Sequence, residues 1–227
     1  SNLDPIKQSD GDKPKTSQTK EDQSKATKPL NLNIKNISLK NAMVQQTKNL
    51  KGGGHETTEI ANLNFSIDRL SNGQPGKMNL AADIRMENVP PANSTNSVVG
   101  SLRAKLASDF DYKLTADVQP ESVKGKLRFD VSEATGPMAE LAKLAAILDC
   151  DLTPTDIREV ALHFEQNGNA LGAVRVSGPF SAANMEGKLK VELSSIDRRV
   201  LNLAGAASGI DFNSTVISSA NDVVISQ

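Results

Sequence analysis

The chain is poor in aromatic rings, with six Phe, one Tyr and no Trp among 227 residues. Rings bury the largest areas in β-sheet cores, so burial here has to come from Leu, Val, Ile, Ala and Met. There is one cysteine, Cys150, which excludes an intrachain disulfide and any metal site built on clustered thiolates. A single cysteine does not tie the chain to a reducing or an oxidising compartment. No run of about 18 apolar residues occurs, and nothing resembles a signal peptide. The opening Ser1-Asn2-Leu3 lacks Met, as it would if a targeting or anchoring segment had been removed ahead of it. With 26 basic and 27 acidic residues the net charge is −1. No overall field attracts nucleic acid or an acidic surface, and nucleic acid is not an expected partner.

Catalytic equipment is equally sparse. The two histidines, His55 and His163, are far apart in sequence and neither belongs to an H-x-x-x-H pair. They assemble no hydrolase triad and no zinc site. Cys150 stands between Asp149 and Asp151, whose charges would raise its thiol pKa and make it unreactive. Asp149, Asp151 and Asp156 lack the ordered spacing of a calcium loop and read as turn chemistry. The sequence therefore predicts no enzyme, no cofactor and no metal.

What the chain does have is a repeated unit: a glycine, one residue, then an alternating apolar run. It occurs at Gly76-Lys77-Met78-Asn79-Leu80, Gly100-Ser101-Leu102-Arg103-Ala104, Gly125-Lys126-Leu127-Arg128-Phe129, Gly172-Ala173-Val174-Arg175-Val176 and Gly187-Lys188-Leu189-Lys190-Val191. The first four glycines are 24, 25 and 47 residues apart, the last gap being about two periods, which predicts a repeated hairpin. Each run sets aliphatic side chains on one face of a strand and Lys or Arg on the other. None of the units is a phosphate loop. The glycines read as hairpin exits that need positive φ or a close backbone approach, and the cations as a solvated outer face that also guards strand edges.

Residues 1–28 form a different regime, with six Lys, five acidic residues and only Leu3, Ile6 and Ala26 as aliphatics. They cannot bury enough apolar area to offset their ordering entropy and read as a disordered linker or tail. A single β-rich domain is expected over 29–227. A phase slip at Asn36-Ile37 predicts a bulge or bend. Ala61, Leu63, Phe65 and Ile67 are expected to share one face. Gly52-Gly53-Gly54 is a loop tip, Asn167-Gly168 a hairpin turn, and Gly178-Pro179 a further turn. From Pro137 to Leu148 the apolar residues Met138, Leu141, Ala142, Ala145 and Leu148 fall at helical spacing behind a proline suited to a first helical turn. The expected fold is thus mainly β: an antiparallel, strongly twisted meander sheet of eight to ten strands with one amphipathic helix at about 137–148.

One helix of about 12 residues, roughly 18 Å long, covers only part of such a sheet. The rest of the apolar face has to close on itself, pair with another copy or a neighbouring domain, or bind a ligand. The opening Leu32-Asn33-Ile34-Lys35-Asn36-Ile37-Ser38-Leu39-Lys40-Asn41-Ala42 resembles the first strand of AsmA-like bacterial envelope proteins. Glu59-Ile60-Ala61-Asn62-Leu63-Asn64-Phe65 and the units at Gly76, Gly100, Gly125 and Gly187 are similar to the repeated hairpins of that family. The resemblance spans roughly residues 30–195 and is one of pattern.

It implies a periplasmic β-groove, part of an inner-membrane-anchored protein, that accommodates or transfers phospholipid acyl chains and supports the outer membrane. The side chains expected to line such a groove are Met78, Leu80, Leu102, Leu114, Leu127, Phe129, Leu162, Val174, Leu189 and Val191. Expected partners are phospholipid acyl chains and further domains of a longer parent chain or a second copy. The competing expectation is a structural envelope module in which the same face is a closed core without a ligand.

Overall fold

The computed structural model describes residues 31–92, 98–205 and 210–226. The tail 1–28 lies outside the described residues, as does most of the loop expected between Pro90 and Asn96. All ten strands belong to one sheet in sequence order, each antiparallel to the next. They are β1 (Asn33–Asn49), β2 (His55–Ser71), β3 (Pro75–Val89), β4 (Gly100–Leu114), β5 (Pro120–Thr135), β6 (Leu144–Thr153), β7 (Asp156–Gln166), β8 (Asn169–Ser181), β9 (Glu186–Asp197) and β10 (Val216–Ile225). The first and last strands are not paired with one another, so the sheet is open. Substantial strand contacts run only between sheet neighbours, so the sheet does not double over into a sandwich.

The expected helix at 137–148 is corrected. Gly136–Leu141 forms a 3-10 helix with Pro137 in its first turn. The chain then turns through Lys143, whose φ is 65°, and enters β6 at Leu144. Periodicity misled here because Leu144 to Leu148 is a continuous apolar run, which helix and doubly covered strand share. Leu144 and Ala145, on opposite faces, are only 5% and 4% exposed, so the start of this strand is covered on both sides. Among the described residues the α-helix is α1 (Arg198–Gly205).

Turn chemistry explains the register elsewhere. Asn167 and Gly168 take φ of 52° and 77° between the paired Gln166 and Asn169, as a two-residue hairpin with a type I′ turn requires. Gly178-Pro179 does not turn the chain. Both lie inside β8, and the reversal follows Ser181. Asn36 adopts φ 57° at the phase slip, but the register with β2 is unbroken there and shifts on either side of Ala42 instead, so the bulge lies further along the strand than expected. In β2 a bulge at Asn62 (φ 50°) shifts the register between Ala61 and Asn64, so Ile60, not Ala61, shares a face with Phe65 and Ile67.

The closed part of the core is at one end of the sheet. Leu102, Ala104, Val131, Leu144, Leu171, Ile196 and Val200 form one buried cluster, against which Met138 and Leu141 of the 3-10 helix and Leu201 of α1 pack. A polar chain ties these two helices together. Gln166 donates from Nε2 to the carbonyls of Glu140 and Ala142, each at 2.8 Å, and its Oε1 accepts from Arg199 Nη1 at 2.7 Å. Arg199 Nε in turn donates to Asp197 Oδ1 at 2.8 Å.

Candidate functional site

Successive pairings align the apolar side chains into rows that cross the whole sheet. One row runs Leu39, Phe65, Leu80, Ser108, Leu127, Leu148, Leu162, Val174, Leu193 and Ser219. The next runs Ile37, Ile67, Met78, Phe110, Gly125, Cys150, Val160, Val176, Val191 and Asn221. At the spacing of paired strands, ten strands span about 43 Å. Both rows are apolar through the middle of the sheet apart from Ser108, and both end on a polar residue at β10, where Asn221 Nδ2 donates to Ser219 Oγ.

All ten side chains expected to line a groove fall on this face, in two environments. Leu102, Leu114 and Leu189 are 5%, 8% and 9% exposed, and Leu102 belongs to the closed cluster. These three serve the core. Met78, Leu80, Leu127, Phe129, Leu162, Val174 and Val191 are half-buried, and all but Phe129 lie in the two rows that the helices leave uncovered along most of their length. Phe129 and Val174 also border the closed cluster. Sequence reasoning missed Leu148 and Cys150 because both were assigned to the helix or its exit. It missed Phe110, which stands between Asp109 and Asp111.

The glycines of the repeated unit have a purpose on this face other than turning the chain. Gly76 pairs with Tyr112, Gly125 with Phe110 and Gly187 with Phe180. A Cβ built on these glycines would stand 2.6 Å from Tyr112 Cζ, 2.6 Å from Phe110 Cδ1 and 2.9 Å from Phe180 Cδ2. Each glycine seats a ring from the neighbouring strand, and the ring covers backbone that a glycine leaves bare. Gly100 is covered in the same way by Pro137, 3.0 Å from the site of its Cβ. Four of the seven aromatic residues face a glycine across the sheet, since Phe164 pairs with Gly172.

The opposite face is charged and locally neutral. Lys77 pairs with Asp111 at 3.3 Å, Lys124 with Asp151 at 3.1 Å, Lys126 with Asp149 at 3.2 Å, and Arg128 with Glu165 at 2.8 Å. Such exposed pairs contribute little stability each, about 0–1 kcal/mol, but they keep this face solvated. A depression of about 510 Å³ there is lined by Asp109, Asp111, Asp149, Asp151 and Glu159 with Lys124 and Lys126. Four of its carboxylates are ion-paired, Asp111 with Lys77, Asp149 with Lys126, Asp151 with Lys124 and Glu159 with Arg175, and among the described residues no cluster has the makings of a metal site. His163 Nε2 lies 3.9 Å from Asp149 Oδ2 on this face, and His55 begins β2.

Two groups on the apolar face have raised pKa values. Burial pushes the Cys150 thiol up, an effect that Asp151 and Asp149 reinforce, so it stays a neutral thiol. Burial also raises the Tyr112 phenol, whose hydroxyl donates to the Arg69 carbonyl. Along the two rows the face offers area and shape.

Comparison with family models, with curated proteins and with solved structures gives no match to any of them. Among the described residues no helix is long and apolar enough to cross a membrane.

Proposed function

We propose that this chain is a non-enzymatic module of the bacterial cell envelope whose apolar β-face accommodates or transfers phospholipid acyl chains. The observation that supports this reading is the pair of apolar rows crossing an open sheet, half-buried and without helix or second sheet over most of their length. Acyl chains laid on these rows bury area at about 25 cal/mol per Å², while headgroups stay in water. No charge lies in either row to select a headgroup, so discrimination among phospholipids is weak. The periplasmic site, the inner-membrane-anchored parent and the link to the outer membrane rest on the resemblance to AsmA-like proteins.

The structural-module reading draws on the cluster around Leu102 and Val200, a genuine core at one end. Retention of fluorescent phosphatidylglycerol after gel filtration separates the two readings. The groove reading expects the wild-type chain to hold the probe, and Leu127→Asp to release it while circular dichroism stays that of a folded sheet. Exclusion of the probe by the wild type, or unfolding by Leu127→Asp, supports a closed core.

A further inference from the structure

The two edges of the sheet are built differently. β1 carries Lys35, Lys40 and Lys48 and no acid, has positive φ at Asn36 and Asn41, and shifts register on both sides of Ala42. Lysines and bulges on an edge strand block its pairing with another chain. β10 lacks the lysines and the positive φ, and its one register shift with β9, between Ile217 and Ser219, falls where Ser195 of β9 takes φ 49°. Its ten residues include no Lys, Arg, Pro or Gly, all have ordinary φ, and from Ser219 to Ile225 they run in unbroken register with β9. The strand also turns apolar side chains to the wrong side. Val216 and Val224 pair with Asp197 and Lys188 on the charged face and are 60% and 68% exposed.

We infer that β10 is the edge through which two copies of this chain pair, antiparallel, about a two-fold axis passing through Ala220 perpendicular to the sheet. This register is the one that accounts for the misplaced valines, because it sets Val216 of each copy directly opposite Val224 of the other, both on the charged face. It sets Ile217 opposite Val223 on the apolar face, and Ser218 opposite Asp222, where the hydroxyl meets the carboxylate and no like charges face each other. The edge carries an acid and no base, so self-pairing brings no buried cation with it. Opposed side chains in such a pair stand about 5 Å apart and stabilise the sheet as cross-strand contacts. An axis perpendicular to the sheet keeps both apolar faces on one side, so the dimer presents one continuous 20-stranded face; this inference does not depend on what that face binds.

The test places a thiol on the axis. Ala220 is exposed, and Ala220→Cys in a Cys150→Ser background puts two thiols opposite each other, within the range a disulfide spans. Air oxidation with a copper catalyst is expected to give a covalent dimer. Sedimentation velocity of the unaltered chain over a concentration series is expected to move from one mass to twice that mass. Val224→Lys is expected to weaken the association by about tenfold or more without altering the fold, since the position is exposed. A chain that stays monomeric at every concentration overturns the inference. So does a dimer that Ala220→Cys fails to crosslink, since its contact then lies elsewhere, at β1 or on the apolar face.

Discussion

Phe110 on β4 lies directly opposite Gly125 on β5, with its ring where a side chain on Gly125 would otherwise stand. The pair fills the middle of an apolar row with one ring from a chain that has few. A methyl on Gly125 would meet both the Phe110 ring and the carbonyl of Asp109, and the backbone atom cannot swing aside. Gly125→Ala is therefore expected to destabilise the chain by about 1–3 kcal/mol through overpacking, read from urea unfolding midpoints. Gly53→Ala, with nothing within 4 Å of its Cβ, isolates the cost of positive φ from that of contact.

Tyr112 over Gly76 permits a direct optical test, because it is the one tyrosine and there is no tryptophan. Burial holds its phenol above the ordinary value, which is about 10. Absorbance at about 295 nm, the ordinary tyrosinate band, is expected to titrate at a higher pH in the folded chain than in urea. Gly76→Ala, which displaces the ring, brings the two curves together. Coincident curves in the unaltered chain would mean that the ring is in water.

Cys150 is expected to react slowly with a thiol reagent at pH 8. Its pKa is raised chiefly by burial on the apolar face, so the thiolate fraction is small and the rate keeps rising with pH beyond the range where a free cysteine, with a pKa of about 8.5, levels off. A ligand on the two rows should slow the reaction further.

The lock between the two helices is expected to depend on pH through Asp197. Its folded pKa lies below the usual carboxylate value, mainly because the Arg199 side chain hydrogen-bonds it. A depressed folded pKa contributes stability above the unfolded value, about 3.9 for Asp, and loses it as pH falls through the folded one. Arg199→Ala should thus lower the unfolding midpoint most at pH 7, with the difference from wild type shrinking towards pH 2. Gln166→Ala leaves the carbonyls of Glu140 and Ala142 without that partner, a loss of about 1–3 kcal/mol, with hydrogen exchange rising first in the 3-10 helix and α1.

Much of this fold was legible in the residues. Strand period, the charged outer face and the Asn167-Gly168 turn came from alternation and turn chemistry, which are local. The errors came where the deciding partner is distant in sequence. Leu144 to Leu148 is a strand because β5 and β7 flank it, and nothing within the run distinguishes it from a helix. Ala61 lost its face to a bulge at Asn62, a backbone choice that alternation alone does not reveal. At Gly76, Gly125 and Gly187 the expected alternative of a close backbone approach holds, but the rings they seat lie on other strands and were not legible. At the candidate site the face was readable. Its division into a closed end at Leu102 and an open stretch through Leu127 was not, since it depends on where the 3-10 helix and α1 dock.

Native mass spectrometry of the chain purified from a bacterial envelope fraction without detergent tests the central claim most directly. The account predicts mass increments of phospholipid on the folded chain, lost on Leu127→Asp and kept on a charged-face variant such as Ala107→Asp. Bare protein at a single mass, with the sheet intact, would contradict it.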